Sequence, residues 1–298
     1  MAILHIDTGR EMRGGQWQVL QLMQGLAGRK VEARLLAPAG SPLLQAAESL
    51  GLDVRPLKAW AARSEARAFH LVHAHDARAH SLGLLCGRPL VVARRVGFPV
   101  RDTPVSRWKY GRAARYLAVS EYVRGTLLKA GVDGEKISVV YDGVRVPEAA
   151  PAGERTLIVA IDSSDPGKGT TLLTQAGAIA GWPIHFSRRL LDDLPRAAVF
   201  VYVSEMEGLG SAALLAMAYG AAVIASEVGG LPEIVRDGET GVLTGNHPEQ
   251  IAVALAGLMG DPARMAVLAE GGRLQVERRF TVDRMVEQTM LANERVSA

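Results

Sequence analysis

The stretch Ser204-Glu-Met-Glu-Gly-Leu-Gly-Ser-Ala-Ala-Leu-Leu-Ala-Met-Ala-Tyr-Gly220 decides how the chain is read. It follows an apolar run, Val199 to Val203, that predicts a buried strand. It continues through an acidic-glycine turn into a helix starting near Gly210. A strand, a glycine turn and a helix in that order aim free backbone N–H groups into a crevice at the carboxyl edge of a sheet, where α/β proteins bind ligands. Glu207 adds a carboxylate that accepts from hydroxyls, although taken alone it serves equally well as a helix-capping residue. The pattern points to a ligand carrying phosphates and hydroxyls together.

Working outward, apolar runs alternate with helical periodicity along the whole chain, the pattern of βαβ units and parallel sheets. In the second half, strands are predicted near Leu157 to Ile161, Ile184 to Phe186, Ala222 to Ala225 and Gly241 to Leu243, with helices from about His247. In the first half they are predicted at Ile3 to Asp7, Glu32 to Ala37, Leu71 to Ala74, Leu90 to Ala93, Tyr116 to Val119 and Ile137 to Tyr141. The helix Gln16 to Gly28 carries an apolar stripe, Val19, Leu20, Met23, Leu26 and Ala27, that belongs to a core. Gly143 to Arg155, with Pro147 and Pro151 among small residues, interrupts every period and reads as a linker.

Two further turns offer anion sites. Gly14 and Gly15 open a helix after the first strand, the place where backbone N–H groups and the helix dipole face a phosphate; an eased strand-to-helix turn is the plain alternative. Asp165-Pro-Gly-Lys168-Gly-Thr170 puts a lysine, a compact point charge for phosphate, beside flexible backbone. It lacks the first glycine of a Walker loop, with Ser163 and Ser164 in that region, so a nucleoside triphosphatase is rejected.

Bulk composition sets limits. With 298 residues, 48% apolar and 22% charged, the chain suits two soluble globular domains, and no apolar run reaches the length of a bilayer span. The N-terminus reads as a first strand, being too short for a signal-peptide core. Cys86 is the only cysteine, which excludes an internal disulfide framework and fits a reducing cytoplasm. The net charge of +3 conceals an asymmetry: residues 1–150 hold 22 Lys/Arg against 13 Asp/Glu, and residues 151–298 hold 12 against 18. An anionic partner is expected for the first half. Segment 94–116 concentrates this charge, with Arg94, Arg95, Arg101, Arg107, Lys109, Arg112 and Arg115 against Asp102 alone, interleaved with Phe98, Trp108, Tyr110 and Tyr116. That composition predicts an anionic or lipid-borne acceptor at the inner face of a membrane, and no nucleic-acid module accompanies it.

Taken in order, these motifs resemble the family-4 retaining glycosyltransferases (group 1). The resemblance rests on Gly14-Gly15, Val72-His73-Ala74-His75-Asp76, Ala118-Val-Ser-Glu-Tyr-Val-Arg124, Lys136 to Val144, Lys168-Gly169, Glu207 to Gly220, Val228-Gly-Gly-Leu-Pro-Glu233 and Asp237 to Leu243. It implies the GT-B architecture, two Rossmann-like domains with parallel sheets facing across a cleft. The implied layout is an acceptor-side domain over 1–148, an abbreviated nucleotide-sugar-binding domain over 149–280, and a helix over 281–298 crossing back to the first. By the same resemblance Glu207 and Lys168 are catalytic, Glu207 holding hydroxyls of the donor sugar and Lys168 neutralising the leaving nucleoside diphosphate. Gly14, Gly15, Gly208, Leu209, Gly210 and Ser211 bind the donor. Transfer with retention is implied, with charge on the leaving group met by preorganised donors. No metal or other cofactor is expected, since no Asp-X-Asp signature is present; the partners are a nucleoside diphosphate sugar and an anionic or lipid-linked cell-envelope glycan, of lipopolysaccharide or polysaccharide type, bound at the patch Arg94, Arg101, Arg107 and Lys109.

The chain departs from that pattern in four places. Leu215 stands where a glutamate would bind the ribose diol, Ser163 where an arginine would meet phosphate, Arg95 where a histidine is common, and the region between Thr171 and Ile184 is short by one strand-helix unit. Arg95 is accordingly assigned a catalytic place, and Arg94, Arg188 and Arg189 are candidates to replace the missing cation. Two other readings stay open: a catalytically weak or inactive nucleotide-sugar-binding protein of the same architecture, and a sugar-nucleotide epimerase. His73, His75 and His80 are expected to line a cleft floor or pack locally, without metal.

Overall fold

A computed structural model describes residues 1–148 and 153–297. The chain forms two units, Met1–Gly143 with Val282–Ala298, and Val144–Thr281. Ala149, Ala150, Pro151 and Ala152 of the expected linker lie outside the described residues.

The first unit is built on seven strands, β1 Ile3–Ile6, β2 Ala33–Ala37, β3 Val54–Pro56, β4 Leu71–Ala74, β5 Leu90–Arg94, β6 Arg115–Ala118 and β7 Ile137–Val139. They lie parallel in the order β3-β2-β1-β4-β5-β6-β7. β1 and β4 are buried at every position, which is why their sequences are continuous apolar runs broken only by His5 and His73. The chain runs outward one way from β1 and the other way from β4, so the β1–β4 boundary is the topological switch point of this sheet. Helix starts are marked by side-chain caps: Ser41, Asp76, Thr103 and Ser120 each accept from a first-turn N–H. The helix Val282–Ser297 belongs to this unit, where Met285, Val286 and Ala292 pack with Leu22, Leu26, Leu71 and Val91.

The second unit holds β8 Leu157–Ile161, β9 His185–Ser187, β10 Ala197–Tyr202, β11 Ala222–Ser226 and β12 Val242–Thr244, parallel in the order β12-β11-β10-β8-β9. Its switch point lies between β8 and β10. Helices Thr170–Ala180, Pro248–Met259 and Pro262–Arg279 cover the sheet, burying Leu173, Ile251, Leu255 and Leu268 with Ile158, Val199, Val201 and Ile224. The decisive helix spans Ser211–Ala218, one residue later than expected, because Gly210 adopts φ of 101° and closes the turn ahead of it. The predicted strands coincide with observed ones to within two residues at most ends; β3 is an addition, a three-residue edge strand ending in Pro56.

Candidate functional site

In the second unit the switch point brings two turns together. The turn Pro166–Lys168 follows β8 and the turn 203–210 follows β10, and because those strands are adjacent their carboxyl-end loops meet. The Glu205 N–H donates to the Gly167 carbonyl at 3.0 Å, which stitches one turn to the other. As a result Lys168 Nζ lies 2.7 Å from Glu207 Oε2, 3.1 Å from the Tyr202 hydroxyl and 3.5 Å from Ser204 Oγ. The Tyr202 hydroxyl itself donates to Glu207 Oε2 at 2.7 Å. Burial pushes that hydroxyl well above its ordinary range and the Glu207 carboxylate adds to the effect, so Tyr202 stays protonated and stays a donor.

The backbone of Glu207 is held as firmly as its side chain. Its carbonyl accepts from the Gly230 N–H at 3.1 Å, and its Oε1 accepts from the Gly208 N–H, also at 3.1 Å. Gly229 explains the need for the Val228-Gly-Gly-Leu-Pro sequence. It has φ of 57°, and a Cβ there would stand 2.0 Å from the Glu207 carbonyl oxygen. Behind the turn, the Ser204 N–H donates to Ser226 Oγ, which donates to Asn246 Oδ1, and Asn246 Nδ2 returns to the Ser204 carbonyl, at 3.0, 2.5 and 2.9 Å. This loop of bonds ties the carboxyl ends of β10 and β11 to the segment after β12, so the site sits on a rigid edge.

The helix Ser211–Ala218 then presents first-turn N–H groups that have no partner within the helix. Of the donor-binding residues expected here, Gly210 and Ser211 flank that N-terminus, and Leu209 is buried and anchors the turn. The Gly208 N–H is directed at the carboxylate of Glu207. Leu215 is half-buried on the same helix. Ser163 Oγ accepts from the Asp165 N–H at 3.1 Å, so it serves the turn.

In the first unit the switch point joins the loop after β1 to that after β4. Asp76 accepts from the Thr8 N–H and hydroxyl at 2.6 and 2.8 Å while capping the helix Ala77–Gly83 through the Arg78 and Ala79 N–H groups. Gly14 and Gly15 begin the helix Gly14–Gly28, with open space around Gly15 where a Cβ would lie. They belong to this unit, and Lys168 and Glu207 to the other. Arg95 reaches Asp142 Oδ1 through Nε at 3.0 Å and His75 Nδ1 through Nη1 at 3.3 Å.

His75 belongs to a cluster that the sequence reading grouped differently. The register pairs His5 with His73 across β1 and β4, and His5 Nδ1 and His75 Nε2 share a hydrogen bond of 2.9 Å. His80 stands apart, edge-on to Tyr110 and Tyr116. Ligand nitrogens of His5, His73 and His75 come within 4.8 Å of one another. The His73 and His75 rings stack at 4.3 Å and 30°, and Arg95 adds a positive charge at the edge. Burial first, then neighbouring histidines and Arg95, holds His73 and His75 well below the ordinary imidazole range; burial and Arg95 put His5 at about 3. Within the cluster His5 and His75 share a hydrogen bond, whereas both ring nitrogens of His73 are buried without a hydrogen-bond partner among the described residues.

The expected anion patch is largely committed to internal contacts. Arg94 donates to the Tyr110 hydroxyl at 2.8 Å and to the Phe98 carbonyl, and Lys109 Nζ donates to the Ala77 carbonyl and Ser81 Oγ at 2.7 and 2.9 Å. Arg107 pairs with Asp102 through two bonds at the surface, and both Arg101 and Arg107 stay exposed to solvent. Arg188 and Arg189, offered as replacement cations, pair with Asp162 and Asp192 and stay exposed. Segment 94–116 keeps a different property: the helix Pro104–Gly111 buries none of its residues, and Val105 and Trp108 are 73% and 55% exposed. Beside it runs a groove of about 630 Å³ lined by Arg101, Arg107, Tyr110, Glu121, Tyr122 and Lys129.

Residues 12–146 match a model described as Glycosyltransferase Family 4 and residues 175–261 one described as Glycosyl transferases group 1. Alpha-maltose-1-phosphate synthase of Mycolicibacterium smegmatis is 38% identical over 123 residues, 39% of this chain and 31% of that protein. D-inositol 3-phosphate glycosyltransferase of Rhodococcus opacus is 41% identical over 107 residues, 34% of this chain and 24% of its own length. The matched region thus spans less than a third of these curated relatives. Over the whole chain, Anabaena HepE, solved in complex with UDP and glucose, superposes with a TM-score of 0.86 at 16% identity, covering 99% of this chain and all of that one. A glycosyltransferase from Rickettsia africae superposes with a TM-score of 0.82 at 15% identity, covering 99% and 98%. Matches in both halves, on a shared two-sheet architecture, make the chain a member of glycosyltransferase family 4 with the GT-B fold.

Proposed function

We propose that this protein transfers a hexose from a nucleoside diphosphate to a cell-envelope glycan, of lipopolysaccharide or polysaccharide type, with retention of configuration and without a metal ion. The observation that carries this reading is the Lys168–Glu207 pair at the N-terminus of the helix Ser211–Ala218. A diphosphate seated there meets the helix dipole, unpaired first-turn N–H groups and the Lys168 ammonium, the groups needed where negative charge develops on a leaving phosphate. Glu207 is the hydrogen-bond acceptor for sugar hydroxyls beside it. The Anabaena neighbour was solved with UDP, alone, with glucose and as UDP-glucose, which favours a uridine donor.

For the acceptor, the helix Pro104–Gly111, none of whose residues is fully buried, and the adjoining groove support a lipid-linked or anionic glycan met at a membrane surface. No single helix among the described residues is long and apolar enough to cross a membrane, so the association proposed is peripheral. Arg95, expected at the reaction centre, is assigned to the support of Asp142 and His75 instead.

A thermal-shift screen of nucleoside diphosphate sugars tests the donor. The expected result is a rise in melting temperature with UDP-hexoses that Lys168→Ala abolishes; no rise with any of them refutes the reading. Leu215 favours a second reading, a nucleotide-sugar-binding protein with little turnover, because an apolar side chain supplies no hydrogen-bond acceptor. Binding without hydrolysis or transfer on any acceptor extract selects it.

A further inference from the structure

The Lys168–Glu207 pair does not stand alone, because both partners converge on one buried hydroxyl. Tyr202 is the last residue of β10 and is 7% exposed, yet its hydroxyl lies within reach of the ammonium at 3.1 Å and of the carboxylate at 2.7 Å. The three polar groups close a ring. Lys168 donates to both oxygens, and Tyr202 accepts from Lys168 and donates to Glu207. The Lys168 ammonium also lies 5.1 Å from the centroid of the Tyr202 ring, and that ring stacks against Phe200 at 6.0 Å, so the phenol is fixed by the core.

We propose that Tyr202 is a positioning residue that keeps Glu207 oriented when Lys168 leaves it for phosphate; this rests on the donor-site reading above. A diphosphate competes with Glu207 for the ammonium. Once Lys168 turns to the phosphate, Oε2 of Glu207 loses a charged donor in a half-buried place. The Tyr202 hydroxyl remains, held protonated by burial, and Oε1 remains on the Gly208 N–H. The carboxylate therefore keeps its direction toward the sugar in the loaded state. With phenylalanine at 202 the packing survives and that second anchor does not.

The test measures UDP-glucose hydrolysis and UDP affinity for the wild type, Tyr202→Phe, Glu207→Gln, Lys168→Ala and the Tyr202→Phe/Glu207→Gln double variant. Tyr202→Phe is expected to lower kcat about tenfold, the scale of a lost hydrogen bond to a charged group, while changing UDP affinity by no more than about twofold. The double variant is expected to be no slower than Glu207→Gln, since positioning through Glu207 has nothing left to act on. A merely structural role gives the opposite: losses that add, or a kcat unchanged by Tyr202→Phe, and either result overturns the proposal. If Glu207→Gln and Lys168→Ala both behave as wild type, the donor-site reading fails first. Labelling of Lys168 by acetic anhydride, read by peptide mass, needs no donor; it should be several-fold faster in Tyr202→Phe, and an unchanged rate counts against the ring. Tyr202→Met removes the hydroxyl with a different side chain if the phenylalanine variant does not fold.

Discussion

Arg95 Nε donates to Asp142 Oδ1 at 3.0 Å, with both side chains largely buried, and this ion pair joins the carboxyl end of β5 to the segment after β7. Removing the cation takes a charged partner from a carboxylate that is only 9% exposed. Arg95→Ala should therefore cost about 3 kcal/mol in denaturant unfolding, while Arg95→Ala/Asp142→Asn should recover part of it. Unfolding curves of the two single variants and the double form the cycle, and additive losses would mean that the pair is not coupled.

The buried histidines His5, His73, His75 and His80 set a pH dependence. In the unfolded chain these imidazoles titrate near 6.5; in the folded chain His5 and His80 are held at about 3, and His73 and His75 well below 6.5 as well. Below pH 6.5 the unfolded state therefore binds protons that the folded state refuses. Stability is kept above the unfolded value and lost as pH falls toward the folded values. Each such histidine steepens the loss by up to about 1.4 kcal/mol per pH unit. Urea melts between about pH 7.5 and 5.5 should show this slope, and His73→Phe should flatten it by roughly one proton's share.

Gly229→Ala tests the fit of the glycine pair against the Glu207 turn. A Cβ 2.0 Å from a backbone oxygen, at φ of 57°, forces the turn to move. A loss of about 2–3 kcal/mol is expected, together with loss of UDP-sugar binding in calorimetry. Gly15→Ala, which meets open space, is the control expected to leave stability within about 0.5 kcal/mol.

Exposure of Val105 and Trp108 gives the surface prediction. Sedimentation with vesicles containing anionic lipid should carry down the wild type more than neutral vesicles do, and Val105→Ser/Trp108→Ser should reduce this several-fold. Equal sedimentation with both vesicle types would remove the membrane from the acceptor side.

Much of the architecture was legible in the residue pattern. Continuous apolar runs such as Leu71–Ala74 and Ala222–Ser226 mark strands covered on both faces, and the helical periods between them require parallel crossovers, so two Rossmann-like sheets follow. β3 escaped because three residues ending in proline, on a sheet edge, carry almost no periodic signal. Segment 94–116 read as a cationic patch because composition counts charges without their partners; folding supplies Asp102 for Arg107, Tyr110 for Arg94 and the Ala77 carbonyl for Lys109.

The local chemistry of each turn was determined by sequence alone: a lysine after β8, a glutamate and glycines after β10, a helix start behind them. Their meeting was not. Lys168 and Glu207 are brought together by the order β10-β8, which places the two carboxyl-end loops side by side, and strand order depends on which faces bury against which helices. The same step chose Tyr202, Asn246 and His5 as partners, residues with no motif to announce them. Hydrogen-bond partnership is a property of positions in space, and only the folded chain assigns it.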